Sequence, residues 1–103
     1  MTITLTHYLV LGAVLFGVGL YGAITRRNAI GILMALEMVF SAVTLTLVAS
    51  GRWRPQSELR GQLFALFVTA TAAAESVLGL AIILAIYRRR VVVNADDMDL
   101  MKH

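Results

Sequence analysis

Residues 29–49, AIGILMALEMVFSAVTLTLVA, and residues 62–87, QLFALFVTATAAAESVLGLAIILAIY, decide how this chain must be built. Each is an apolar run long enough to cross a bilayer, whose ~30 Å hydrocarbon core takes about 20 residues of helix. Strands are excluded, because the open edge of a small sheet leaves N–H and C=O groups unpaired in lipid. Each run also holds one carboxylate. Glu37 is the only charged residue between Asn28 and Gly51, and Glu75 the only one between Gly61 and Tyr87. A charge at the middle of a membrane helix costs ~2.5–3.5 kcal/mol on insertion scales. Two such groups in one small chain point to use rather than tolerance. The use open to a carboxylate in lipid is to hold and release a proton or a cation.

Upstream lies a third apolar run, residues 3–24, with no Asp, Glu, Lys or Arg before Thr25-Arg26-Arg27-Asn28. It is expected to be a spanning helix with a basic stop, not a secretory leader, which would have a basic start and a shorter apolar core. The expected fold is therefore an all-α membrane protein, one membrane domain over 1–103. Its three transmembrane helices are placed at about 3–24, 29–49 and 62–87, followed by a polar tail, 88–103, carrying Asp96, Asp97, Asp99 and Lys102. Residues 25–28 allow only a tight antiparallel hairpin. Residues 50–61, with Trp53, Pro55 and mixed charge, read as an interfacial loop. Tyr8, Tyr21, Trp53 and Tyr87 fall near the predicted ends, where aromatic belts sit.

Composition narrows the function. With 59% hydrophobic and 15% charged residues, the chain lacks the polar surface of a soluble globule. The net charge of +3 comes from arginines at segment ends and not from a basic stripe interleaved with aromatics, so nucleic acid is not a partner class. The absence of cysteine removes thiolate metal sites, iron–sulfur clusters and c-type haem, and the two histidines, His7 and His103, sit at the chain ends. No redox cofactor is expected in this chain.

Topology follows from the basic residues. One side of the membrane receives Arg26, Arg27, Arg88, Arg89, Arg90 and Lys102, and the other receives Arg52, Arg54 and Arg60. Positive charge collects on the inner side, so the N-terminus is expected outside and the C-terminus in the cytoplasm or its organellar equivalent. Glu37 then lies nine residues from Asn28, and Glu75 twelve residues from Tyr87. At 1.5 Å per residue these depths are roughly 13–14 Å and 18 Å from one membrane face. Two carboxylates at similar depth on different helices suit a lateral route.

Their neighbours at helical spacing are Ser41 and Thr44 after Glu37, and Thr71 before and Gly79 after Glu75. These hydroxyls can support a carboxylate, although a lone Ser or Thr in a membrane helix more often bonds the carbonyl four residues back. No basic residue lies within either span to pair with the acids. Small-residue faces on the Gly-rich first helix and the Ala-rich third helix suit close packing. Together these features imply a subunit of a larger membrane assembly.

The run from Leu15 to Gly22, then Arg26-Arg27-Asn28-Ala29-Ile30 and Leu33-Met34-Ala35-Leu36-Glu37, resembles the small K subunit of respiratory complex I. So do the stretch from Gln62 to Val68, the run Ala72-Ala73-Ala74-Glu75 through Ile82, and the Asp96-Asp97 tail ending Leu100-Met101-Lys102. The resemblance covers the whole chain and extends to photosynthetic NDH-like relatives. It implies a subunit of a proton-translocating NADH–quinone oxidoreductase, with Glu37 and Glu75 on the proton path and Arg26 and Arg27 on a cytoplasmic loop that supports activity. It further implies NADH, flavin, iron–sulfur clusters and quinone in other subunits. The implied partners are membrane-arm subunits (J-like, A-like and antiporter-like N, M and L) within the lipid bilayer. The implied location is the bacterial inner membrane, or a thylakoid membrane for a cyanobacterial member.

Where that family carries a Leu-Asn-Ala-Val-Asn pattern, this chain has Phe40-Ser41-Ala42-Val43-Thr44, and Thr69, Thr71 and Ser76 occupy places that are commonly aliphatic or small. The alternative functions are a subunit of a related cation/proton antiporter or membrane-bound hydrogenase, or a purely structural assembly subunit. A multidrug exporter of the small type has four spans and an acid in the first, and an ATP-synthase rotor subunit has two spans. Both fit worse.

Overall fold

The computed structural model describes residues 2–102, with side chains described as far as Arg90. It contains three helices, α1 (Leu5–Thr25), α2 (Ala29–Arg52) and α3 (Glu58–Lys102), and no strand among the described residues. All three are long and apolar enough to cross a membrane, α3 over Glu58–Arg90.

Local chemistry sets the ends. The Thr4 backbone N–H donates to His7 Nδ1 at 3.1 Å at the start of α1. At the start of α2 the Asn28 side chain accepts from the Ile30 N–H at 3.0 Å, satisfying one of the free donors of the first turn. Arg26 donates its N–H to Gly22 O at 3.0 Å and ends the last turn of α1, leaving only residues 26–28 to make the expected hairpin.

Two expected boundaries are corrected. The second connector shrinks to residues 53–57, because α2 runs on to Arg52 and α3 begins at Glu58. Gly51 and Gly61 make this possible. A Cβ built on Gly61 would lie 3.0 Å from Gly51 Cα and 2.7 Å from Leu47 O, so only glycine lets the helices cross this closely. Secondly, α3 does not end near Tyr87 with a polar tail after it. It continues through 88–102 as helix, 45 residues in all. After Gly79 the sequence has neither glycine nor proline to stop it, and a helix that has left lipid no longer needs an apolar surface. At 1.5 Å per residue such a helix is roughly 67 Å long. It accounts for the 73 Å long axis of a molecule only 24 × 18 Å across.

The helices form a row. α2 packs against α1 on one side and α3 on the other, and among the described residues α1 and α3 make no contact. The seams are built from small residues seven apart: Gly12 and Gly19 on α1, Ala35, Ala42 and Ala49 on α2, and Ala65, Ala72 and Gly79 on α3. Alanine is the largest buried apolar residue among the described residues, whereas Phe64, Phe67, Val77 and Leu78 stand exposed. In lipid, burying leucine between helices gains little, so close backbone approach at small residues holds the row together. At the end opposite Arg26, Tyr8 and Trp53 meet with ring centroids 5.5 Å apart, and the Arg52 guanidinium lies 5.8 Å from the Trp53 ring.

Candidate functional site

The site is built on the seam between α2 and α3. Glu37 lies about a third of the way along the 24 residues of α2, half-buried, and its carboxylate reaches across to α3, where Oε1 accepts a hydrogen bond from the Ser76 hydroxyl. The same Ser76 Oγ lies 2.8 Å from Ala72 O, one turn back on α3. An open groove of about 480 Å³ runs from Glu37 along the seam, lined by Phe40, Ser41, Thr44, Thr69 and Ala73 among others.

Because Ser76 touches Glu37, the register of α2 against α3 is set at this point. Glu75 is the residue before Ser76 on α3, so it lies one helical step from the point where Glu37 crosses the seam. Within this chain Glu37 is only half-buried and Glu75 is exposed, its side chain off the α2–α3 seam. A row of three helices has no interior, so a residue off the seam faces outward. In the membrane, such a carboxylate faces lipid or a neighbouring subunit.

The three hydroxyls singled out as supports are engaged elsewhere. Ser41 donates to the backbone carbonyl of Glu37 at 2.9 Å, Thr44 to Phe40 O at 3.0 Å and Thr71 to Phe67 O at 2.9 Å. Each satisfies itself within its own helix, the usual fate of an isolated hydroxyl in an apolar span. Ser41 and Thr44 still line the groove beside Glu37, whereas Thr71 faces outward. The residue that reaches the carboxylate, Ser76, was not expected to. Its signal is the small-residue repeat of α3: Ser76 follows Ala72 by four and precedes Gly79 by three, which puts it on the face turned to α2.

Arg26 and Arg27 are both exposed beside the short loop. Arg26 lays its methylenes alongside Gly31, where an added Cβ would make ordinary contact at 3.5 Å from Arg26 Cβ and Cγ. No group of three His, Cys, Asp or Glu side chains able to hold a metal ion occurs among the described residues.

The family model for NADH-ubiquinone/plastoquinone oxidoreductase chain 4L matches residues 7–103. The chain is 45% identical over 102 residues to NADH-quinone oxidoreductase subunit K of Geobacillus sp., covering 99% of this chain and 98% of that protein. It is likewise 45% identical over 102 residues to NAD(P)H-quinone oxidoreductase subunit 4L of Synechocystis sp., covering 99% of each. To the chloroplastic subunit 4L of Cryptomeria japonica it is 46% identical over 98 residues, 95% of this chain and 98% of that one. With a three-helix membrane fold, near-complete coverage and this level of identity, the chain belongs to the NADH-ubiquinone/plastoquinone oxidoreductase chain 4L family.

Proposed function

We propose that this chain is a membrane subunit of a NADH–quinone oxidoreductase and that it conducts protons there, coupling quinone reduction to proton translocation through Glu37 and Glu75. The names of its relatives support the first half. One observation carries the second: of the only two carboxylates in the apolar spans, Glu37 on α2 accepts a hydrogen bond from Ser76 of α3, the residue next in sequence to the other, Glu75. A carboxylate that accepts and gives up a proton changes charge by one unit at that point. In lipid the change is large in energy, which is what a coupled pump needs. Glu37 faces the α2–α3 groove and Glu75 faces outward, so a proton can pass along the plane of the membrane between neighbouring subunits. NADH, flavin, iron–sulfur clusters and quinone belong to other subunits, with membrane-arm subunits beside this one. The arginine distribution supports an N-terminus outside and a C-terminus in the cytoplasm, in a bacterial inner membrane or a thylakoid membrane.

Two predictions test the proposal away from Glu37. Glu75→Gln lowers proton pumping only in part, because water or a neighbouring carboxylate can bypass one exposed site, and the double change with Glu37→Gln is near-complete. Members of one route are non-additive, so pumping losses that multiply as independent factors count against a shared path. The arginine loop is tested by Arg26→Lys together with Arg27→Lys. Lysine keeps the charge that sets topology but loses the planar five-donor fork. The expected result is a severalfold loss of quinone reductase activity at normal subunit levels. Wild-type activity would reduce these arginines to topology anchors.

A further inference from the structure

Ser76 Oγ stands between two acceptors, Glu37 Oε1 on α2 and Ala72 O on its own helix. A serine hydroxyl has one hydrogen to donate and lone pairs to accept with. It cannot donate to both at once. We propose that Ser76 is a positioning residue whose hydroxyl reverses its hydrogen bond as Glu37 gains or loses a proton, carrying the state of α2 into α3 beside Glu75.

The two arrangements are each complete. When Glu37 is neutral, its O–H donates to Ser76 Oγ and the Ser76 hydrogen goes to Ala72 O. When Glu37 is ionised, the Ser76 hydrogen turns to Oε1, and Ala72 O keeps its ordinary helix bond. No polar atom is stranded in either state, so the hydroxyl follows the proton at little cost. The consequence falls on α3, since a serine bonded to the carbonyl four residues back bends a membrane helix slightly. Making and releasing the Ser76–Ala72 bond therefore alters α3 at the residue next to Glu75.

Among the described residues nothing else competes for the carboxylate. Ser41 is committed to the Glu37 backbone carbonyl, and no other side chain among the described residues bonds the carboxylate. On α3 the only charged residue between Arg60 and Arg88 is Glu75. On α2 none lies between Asn28 and Arg52 besides Glu37, and on α1 no titratable residue lies between Tyr8 and Tyr21.

The inference rests on the proton-conducting reading, and its test separates the two. Intact complexes carrying wild-type Ser76, Ser76→Ala or Ser76→Thr are compared by infrared spectroscopy with isotope-labelled glutamate, using Glu37→Gln as the subtraction reference. Whichever form Glu37 holds, its band is present in the difference, as the carboxylic C=O stretch or the carboxylate stretch. Ser76→Ala is expected to move that band in both forms and to slow proton pumping by about three- to tenfold, the scale of one lost hydrogen bond. Ser76→Thr restores both. An unmoved band in Ser76→Ala overturns the proposal outright. A moved band with unchanged pumping overturns the relay into α3. Failure of the underlying reading shows elsewhere, as full pumping in Glu37→Gln itself.

Discussion

Glu37→Gln is expected to leave the oxidoreductase assembled while lowering proton pumping and the coupled quinone reductase rate by roughly 100-fold, the low end of what a positioned proton carrier contributes. Glutamine has the shape of a neutral glutamic acid. Its side-chain carbonyl still accepts from Ser76, so the bond across the α2–α3 seam survives. It is also less costly than a carboxylate to place in lipid, so insertion and packing do not suffer. Only the proton that can be released is missing. Subunit content on a native gel and acidification of proteoliposomes read the two halves separately. Normal pumping by an assembled Glu37→Gln complex contradicts the role assigned to this residue.

A valine at Gly19 is expected to be nearly as damaging by a different route. The first atom of any side chain there would lie 2.8 Å from Val39 Cγ2, 2.9 Å from Ala35 O and 3.0 Å from the Val39 backbone nitrogen. Two of these neighbours are backbone, so α1 and α2 must part. Overpacking of this kind costs about 1–3 kcal/mol for well-placed methylenes and more where helix backbones block the way. Gly17, two residues earlier on the same helix, meets nothing within 4 Å of its would-be Cβ inside this chain. Gly19→Val should therefore reduce the amount of subunit in membranes severalfold, with Gly17→Val close to wild type. Equal loss from both would show that glycine content, and not the α1–α2 seam, is what the chain requires.

Much of this architecture could be read in advance because lipid simplifies the rules. Three apolar runs of spanning length become three helices, and residues 25–28 are too few for anything but a hairpin. Where the reading failed, the missing information lay between helices or outside lipid. The polarity of 88–102 marked the end of a span, yet hydropathy says nothing about where a helix stops in water, and α3 ran on. Which way Glu75 faces could not be read from its position along a single helix: it is exposed within this chain because, among the described residues, α2 is the one helix packed against α3. Ser41, Thr44 and Thr71 each bond the carbonyl four residues back, as a lone hydroxyl in a membrane helix was expected to do. Ser76 belongs to Glu37 only through the α2–α3 register. That register is written in the Ala65, Ala72 and Gly79 repeat more than in the acids themselves.

The central claim is that Glu37 changes its protonation while the complex works. Infrared difference spectra of the intact complex, recorded as it passes from rest to steady NADH oxidation, test it most directly. The account predicts a carboxyl band that appears or vanishes on turnover in the wild type and is absent from the Glu37→Gln complex. Turnover spectra that coincide in the carboxyl region for the two complexes would contradict it.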